Sequence, residues 1–335
     1  MFKKLNYQKS KQILKEIKRA DKILLNCHRG PDPDSIGSTL AMQQVLRHMG
    51  KTADIICPSR PISRQVDYLP GFDGIKLGVD FGTFDFSEYD LFLTLDTPNL
   101  SLMTNRDVEI KPKIRTIVID HHHISTLNGI VKLLDEDVTS LGEMLYRIFE
   151  DWKIKLDKNI ADCLLASIIG DTGAFAYPNV TSNTLLIASK LMALGADKNT
   201  AADRIYRTEN FEMLKFWSKV LGEMKIDREH KFVYSFISHE DYKEFSGLDD
   251  AKAKAASLFA PIVDGTNFGF IGVEEKERYV TISFRGRTDF DTSVIAKELG
   301  GGGHKVASAA KIEKLPFHEV VGKVLKVARK YAKKD

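Results

Sequence analysis

Short apolar runs alternate with amphipathic stretches through the first 140 residues. Ile13 and Ile17 give a helical period up to about Ala20. "KILLNC" then reads as a short buried strand, "SIGSTLAMQQVLRHMG" as a helix stopped by Gly50, and "TADIIC" as the next strand. Residues 58–89 are rich in Pro, Gly and Asp and read as irregular. "DLFLTLD" and "RTIVID" are two further strands of the buried type. Apolar strands alternating with helices predict an α/β domain: a mainly parallel sheet with helices on both faces.

From Ser140 the pattern turns helical, with "SLGEMLYRIFEDW", "NIADCLLASIIGD", "SNTLLIASKLMALG" and "NTAADRIYRTE" in succession. "NFEMLKFWSKVLGEM" reads as a helix bridging two domains. Beyond Lys225 come strand-like runs, "KFVYSFIS", "TNFGFIGVEE" and "RYVTISFRGR", with the helix "DDAKAKAASLFA" among them. "TSVIAKELGGGGHKVASAAKIE" gives a helix, a glycine turn and a last strand before a terminal helix. The expected organisation is a domain over 1–205, a helical linker over 206–225 and a smaller α/β domain over 226–335.

Bulk composition narrows the class. The 335 residues are 43% hydrophobic and 28% charged, ordinary for a globular chain of about two domains. A net charge of +3 suits an anionic ligand but is no footprint of a stable duplex-DNA binder. The basic tail "KVLKVARKYAKKD" reads as the solvated face of a helix. Cys27, Cys57 and Cys163 are odd in number and widely spaced, which excludes a disulfide framework and fits a reducing compartment. No stretch has the apolar length of a membrane span, and the N-terminal segment lacks the apolar core of a signal peptide. The expected location is the cytoplasm, with no membrane partner. A homodimer is left open.

The chemistry lies where the strands end. Ligands of open parallel sheets bind beyond the carboxyl ends of the strands. His28, Asp32 and Asp34 follow "ILLNC"; Asp96 follows "LFLTL"; Asp120, His121 and His122 follow "TIVI"; Asp171 ends "LLASIIGD". Carboxylates converging without cations would raise one another's pKa, and divalent metals remove that conflict. A mixed Asp and His set suits Mn²⁺, whereas an all-carboxylate set suits Mg²⁺ better. There are too many ligands for one ion, and two metals sharing a carboxylate can polarise a phosphoryl group and activate water.

Taken together these segments resemble the DHH phosphoesterase superfamily, and within it the nanoRNase/pAp phosphatase (bifunctional oligoribonuclease) family. "HRGPDPDSIGS" is similar to the first motif, "LDTPN" to the second, "VIDHHHIS" to the third and "GDTGAF" to the fourth. "SFRGRTDFDTSVIAKELGGGGHKVASAA" resembles the DHH-associated domain. The resemblance implies that His28, Asp32 and Asp96 hold one metal. It implies that Asp34, Asp96, His121 and Asp171 hold the other, with Asp96 bridging. His122 would face the scissile phosphate as donor or general acid, Asp120 would orient a histidine, and His123 would be a bystander. Arg285 and His304 would face the metals from the second domain and grip a substrate phosphate. The turn Gly300, Gly301, Gly302, Gly303 would bring backbone N–H groups to an anion, and Arg287 is a weaker candidate for that task.

The implied cofactors are two divalent ions, Mn²⁺ first, with Mg²⁺ or Co²⁺ as alternatives. The implied substrates are short oligoribonucleotides, cut to mononucleotides, and 3′-phosphoadenosine 5′-phosphate. The alternative reading is a cyclic dinucleotide (c-di-AMP) phosphodiesterase, and a remote one is a non-catalytic nucleotide-binding protein. Closure of the second domain over the first, hinged in the linker, would complete the site. Several positions depart from the motifs: Pro33, Ser125 and Ser308 replace commoner residues, and "DTPNLSLMT" lacks a downstream arginine unless Arg106 serves. These departures are expected at substrate contacts. Phe175 and Tyr177 read first as loop packing and second as base-stacking groups.

Overall fold

The apolar runs form the centre of a six-stranded parallel sheet. The computed structural model describes residues 7–60, 62, 64–79, 81, 84–104, 114–248 and 251–332, and the chain divides into two units, Met1–Thr208 and Glu209–Asp335. In the first unit β1 (Lys22–Asn26), β2 (Thr52–Cys57), β3 (Ile75–Leu77), β4 (Leu91–Leu95), β5 (Thr116–Asp120) and β6 (Val131–Leu134) lie in the order β3-β2-β1-β4-β5-β6. Every pairing is parallel. The edge strands β3 and β6 escape the sequence pattern because three and four residues are too few to show a period. The chain leaves β1 toward β2 and β3 on one side and returns to β4 on the other. The crevice between β1 and β4 is therefore the topological switch point, the standard ligand position of such sheets.

Six helices follow the predicted segments: α1 (Ser10–Arg19), α2 (Pro33–His48), α3 (Leu141–Asp151), α4 (Lys158–Asp171), α5 (Ser182–Ala193) and α6 (Lys198–Tyr206). All six join Ile23, Leu25, Leu93 and Ile119 in one core on one face of the sheet. The other face differs from expectation. Among the described residues it carries no α-helix; Leu24, Ile56, Phe92 and Val118 are covered by Phe81, Phe84, Phe86, Met103 and Leu127 from connecting segments that include one 3-10 turn, Leu100–Leu102. The Phe81 ring centroid lies 5.3 Å from those of both Phe86 and Phe92. Large aromatic rings fill that layer without regular backbone beneath them.

The second unit opens with α7 (Phe211–Gly222) and continues through β7 (Lys225–Asp227), β8 (Phe232–Ile237), α8 (His239–Tyr242), α9 (Ala251–Phe259), β9 (Phe268–Lys276), β10 (Tyr279–Gly286), α10 (Ser293–Glu298), β11 (Gly302–Gly303), β12 (Ala307–Glu313) and α11 (Phe317–Tyr331). Its sheet runs β11-β12-β10-β9-β8-β7, antiparallel except for the β8–β9 pair. Phe232, Phe268, Phe270 and Phe284 share one core with Val320 and Val324 of α11. On the other core α7 buries Met213, Phe216 and Val220 against Ile271 and Val273, so the helix read as bridging is an integral layer of this unit. No helix among the described residues is long and apolar enough to cross a membrane.

Candidate metal centre

Three neighbouring strands and two helix ends deliver the polar cluster of the first unit. His28 follows β1, Asp96 follows β4, and His121 follows β5, so they line the carboxyl ends of adjacent strands at the switch point. Helix α2 begins within the cluster. The Asp32 carboxylate is its N-cap, accepting from the Ser35 N–H at 2.9 Å, and Pro33 takes the first helical position, where no N–H is needed. Asp34 follows in the first turn, where a helix favours negative charge. Asp171 is the last residue of α4.

The two oxygens of Asp96 look in different directions. Oδ2 lies 3.5 Å from His28 Nε2, which is 3.8 Å from Asp32 Oδ2. Oδ1 lies 3.3 Å from His121 Nε2, which is also 3.3 Å from Asp34 Oδ2 and 3.3 Å from Asp171 Oδ2. Two donor sets thus meet at one carboxylate, each close enough to hold a metal ion: His28, Asp32 and Asp96 in the first, Asp34, His121 and Asp171 around the other oxygen. Asp96 has a left-handed backbone, φ 51°, a conformation that Asp tolerates better than most side chains. It is 2% exposed, yet its Oδ1 has no hydrogen-bond partner among the described residues. A buried carboxylate oxygen left in that state asks for a cation.

The electrostatics say the same. Burial alone would lower the pKa of His121, but Asp34 and Asp96 outweigh it and push it up to about 12. Burial likewise opposes the rise of His28, which Asp32 and Asp96 carry to about 11. Burial raises Asp171, and Asp34, Asp32 and Asp96 add to it, giving about 10. Burial and then Asp96 raise Asp34. Only Asp96 moves the other way: burial would raise it, but His121 and His28 hold it well below the usual carboxylate range. The cluster gathers protons in place of cations. Its Asp and His donors therefore fit divalent ions that accept both oxygen and imidazole.

His122 and Asp120 form a separate pair beside the donor sets. Asp120 ends β5 fully buried, and its Oδ1 accepts from the His122 N–H at 3.3 Å and sits 2.8 Å from His122 Nδ1. This contact raises the His122 pKa. His122 Nδ1 also comes within 3.7 Å of Asp96 Oδ1, so it too stands near enough to share an ion. Its tie to Asp120 already occupies that nitrogen and leaves Nε2 for other work. His123 is exposed and pairs with Glu136, away from these contacts.

The sequence did not reveal what holds Asp34. Its Oδ1 accepts from the Ser167 hydroxyl and from the Gly142 N–H at 3.2 Å; its Oδ2 accepts from the Leu141 N–H at 2.8 Å. Leu141 and Gly142 open α3, whose N-cap is Ser140. "SLGE" carries the capping-box spacing of Ser140 and Glu143, a signal that a helix starts there. Nothing local announces Ser167, which lies 133 residues from Asp34 in the chain.

In the second unit Arg285 and Arg287 differ in kind. Arg285 Nε donates to Ser257 Oγ at 3.0 Å and Nη1 to the Phe284 carbonyl at 2.9 Å. No carboxylate pairs with it among the described residues, and burial lowers its pKa. Arg287 instead pairs with Asp264 at 3.3 Å and with the Thr266 carbonyl. The glycine turn has an internal reason as well. A Cβ on Gly301 would lie 2.1 Å from the Ala309 carbonyl oxygen, so β12 can pack there only against glycine. His304 is exposed at a turn closed by its N–H to the Ala307 carbonyl at 2.8 Å. Ser308, expected at a substrate contact, is instead buried, donating to Thr292 Oγ1 at 2.9 Å. Arg106 lies outside the described residues.

A model of the DHH family, N-terminal domain, matches residues 22–168, and one of the DHHA1 domain matches residues 230–334. The chain is 28% identical over 318 residues to a probable bifunctional oligoribonuclease and PAP phosphatase from Streptococcus mutans, covering 94% of this chain and 97% of that one. It is 25% identical over 306 residues to a bifunctional oligoribonuclease and PAP phosphatase from Bacillus subtilis, covering 90% and 92%. The crystal structure of an exopolyphosphatase-related protein from Bacteroides fragilis superposes with a TM-score of 0.87 at 23% identity, covering 98% of both chains, so the fold is shared.

Proposed function

This chain belongs to the DHH family, a DHH domain followed by a DHHA1 domain, and on that premise we propose that it is a metal-dependent phosphoesterase. Its substrates are short oligoribonucleotides, cut to mononucleotides, and 3′-phosphoadenosine 5′-phosphate, as the names of its relatives suggest. The observation that carries the reading is the divided carboxylate of Asp96, with one oxygen toward His28 and the other toward His121. His28, Asp32 and Asp96 would hold one divalent ion; Asp34, Asp96, His121 and Asp171 would hold a second. Mn²⁺ is the proposed occupant because the donors mix imidazole and carboxylate. Bound there, such ions would neutralise a phosphoryl group and make hydroxide available at neutral pH.

The remaining roles belong to side chains. Asp120 fixes the His122 ring through Nδ1 and raises its pKa. A protonated His122 then presents Nε2–H as a donor to a phosphate or leaving-group oxygen. Arg285, which pairs with no carboxylate among the described residues, is proposed to bind a substrate phosphate, and His304 and the Gly301–Gly303 turn to assist.

The deciding experiment is a panel of a dinucleotide, 3′-phosphoadenosine 5′-phosphate and c-di-AMP, each with Mn²⁺, Mg²⁺ and Co²⁺. The first two are expected to turn over fastest with Mn²⁺; a panel with no hydrolysis under any metal would end the enzyme reading. A second expectation concerns Ser167. Ser167→Ala removes a donor that aligns Asp34, and Mn²⁺ affinity read by calorimetry is expected to fall about tenfold. Activity at saturating Mn²⁺ should largely return, and unchanged affinity would show that the hydroxyl does not support the ligand.

A further inference from the structure

The loop after Asp171 is strained and carries no role in the proposal above. Gly173, Ala174 and Phe175 have φ of 58°, 54° and 69°, three successive left-handed residues. Ala and Phe rarely adopt this conformation, and it persists only where surrounding bonds enforce it. Those bonds are present: Ala174 N–H to the Ile169 carbonyl at 3.0 Å, Phe175 N–H to Thr172 Oγ1 at 3.1 Å, and Tyr177 N–H to the Thr172 carbonyl at 3.0 Å.

The turn leaves its two aromatic residues in different surroundings. Phe175 packs on the core of the first unit. Tyr177 folds back over Gly173, so closely that a Cβ there would stand 2.5 Å from its ring, yet the residue is 52% exposed. A second tyrosine converges on the same helix end. Tyr206, the last residue of α6, is 45% exposed, and its hydroxyl donates to the Gly170 carbonyl at 2.7 Å with the Ile169 carbonyl at 3.1 Å. Gly170 directly precedes Asp171 at the end of α4, so this phenol stands beside the helix end that carries a donor of the cluster. Two rings, each fixed by contacts to backbone, stand half open beside a cluster suited to phosphate-bound metals.

We infer that Tyr177 and Tyr206 form a stacking subsite for a nucleobase of the substrate whose phosphate lies at the candidate metal centre, an inference that rests on the phosphoesterase reading. Rings already held in place lose little freedom when a base stacks on them. Stacking is tolerant of base identity, since every base offers a π-face, so the subsite takes any nucleobase. The loop strain is then spent on holding Tyr177 open instead of letting it follow Phe175 inward.

The test compares diadenosine monophosphate (ApA) with an analogue in which both riboses lack a base. Binding is measured by calorimetry on the full chain with Ca²⁺, and turnover with Mn²⁺. Tyr177→Ala is expected to weaken ApA binding and raise its KM about tenfold, with kcat within about twofold of wild type. Tyr177→Phe should match wild type, and Tyr206→Ala should behave as Tyr177→Ala. The abasic analogue should bind wild type and Tyr177→Ala equally. The inference is overturned if Tyr177→Ala binds ApA like wild type, or if the analogue loses as much affinity as ApA. A failure of the phosphoesterase reading would appear separately, as absence of turnover in wild type, because the Ca²⁺ measurement needs none.

Discussion

Asp96→Asn is expected to leave the fold intact and to lower phosphoester turnover at least about a thousandfold. Asparagine has the same shape and also tolerates the left-handed backbone that residue 96 requires. The substitution therefore isolates charge from strain, which Asp96→Ala would not do. It takes the shared anion from both donor sets at once, leaving His28 and His121 without the carboxylate between them. Mn²⁺ titration should show weakened binding at both sites together. Turnover near the wild-type level in the Asn variant would remove Asp96 from the centre.

Removing metal should make stability depend steeply on pH. In the metal-free fold His28 titrates at about 11, His121 at about 12 and Asp171 at about 10, each above its ordinary value. The native chain thus holds protons that the unfolded chain has released. Stability must fall as pH rises, from above about 4 for Asp171 and above about 6.5 for the histidines. Each such proton steepens the fall by about 1.4 kcal/mol per pH unit. Asp96 has the opposite sign, but its contribution is complete above the ordinary carboxylate range and adds no slope near neutrality. The melting midpoint in EDTA is expected to drop between pH 6.5 and 8.5, and saturating Mn²⁺ should flatten the decline. Mn²⁺ binding at pH 7 should release roughly three protons, one each from His28, His121 and Asp171, read by calorimetry in buffers of different ionisation enthalpy. A midpoint in EDTA that holds or rises over that range would contradict the proton-gathering cluster.

Much of the centre was legible because apolar strands end abruptly in charge. "LFLTL" before Asp96 and "TIVI" before Asp120 are apolar but for one buried threonine each, so the first charged residue marks the strand end and the ligand rim. Sequence could not show that Asp96 turns its oxygens toward different imidazoles, because that depends on one left-handed φ. Resemblance alone ranked Arg285 above Arg287; the physical difference lies in Asp264, a loop residue with no periodic relation to either. The sheet face without an α-helix was hidden for a similar reason: Phe81, Phe84 and Phe86 pack through ring size, and their spacing matches no helix. The altered Ser308 looked like a substrate position because its partner Thr292 sits sixteen residues upstream, on another element.

The start of α2 has one more consequence. Asp32 and Asp34 belong to the same first turn, yet Asp32 serves the His28 set and Asp34 the His121 set. A rigid turn and the shared Asp96 therefore join the two sets mechanically. Whatever orders the turn for one ion has placed a ligand for the other, so the entropy of organising the centre is lost largely once. Two ions bound as proposed would therefore bind cooperatively, the first arrival lowering the cost of the second.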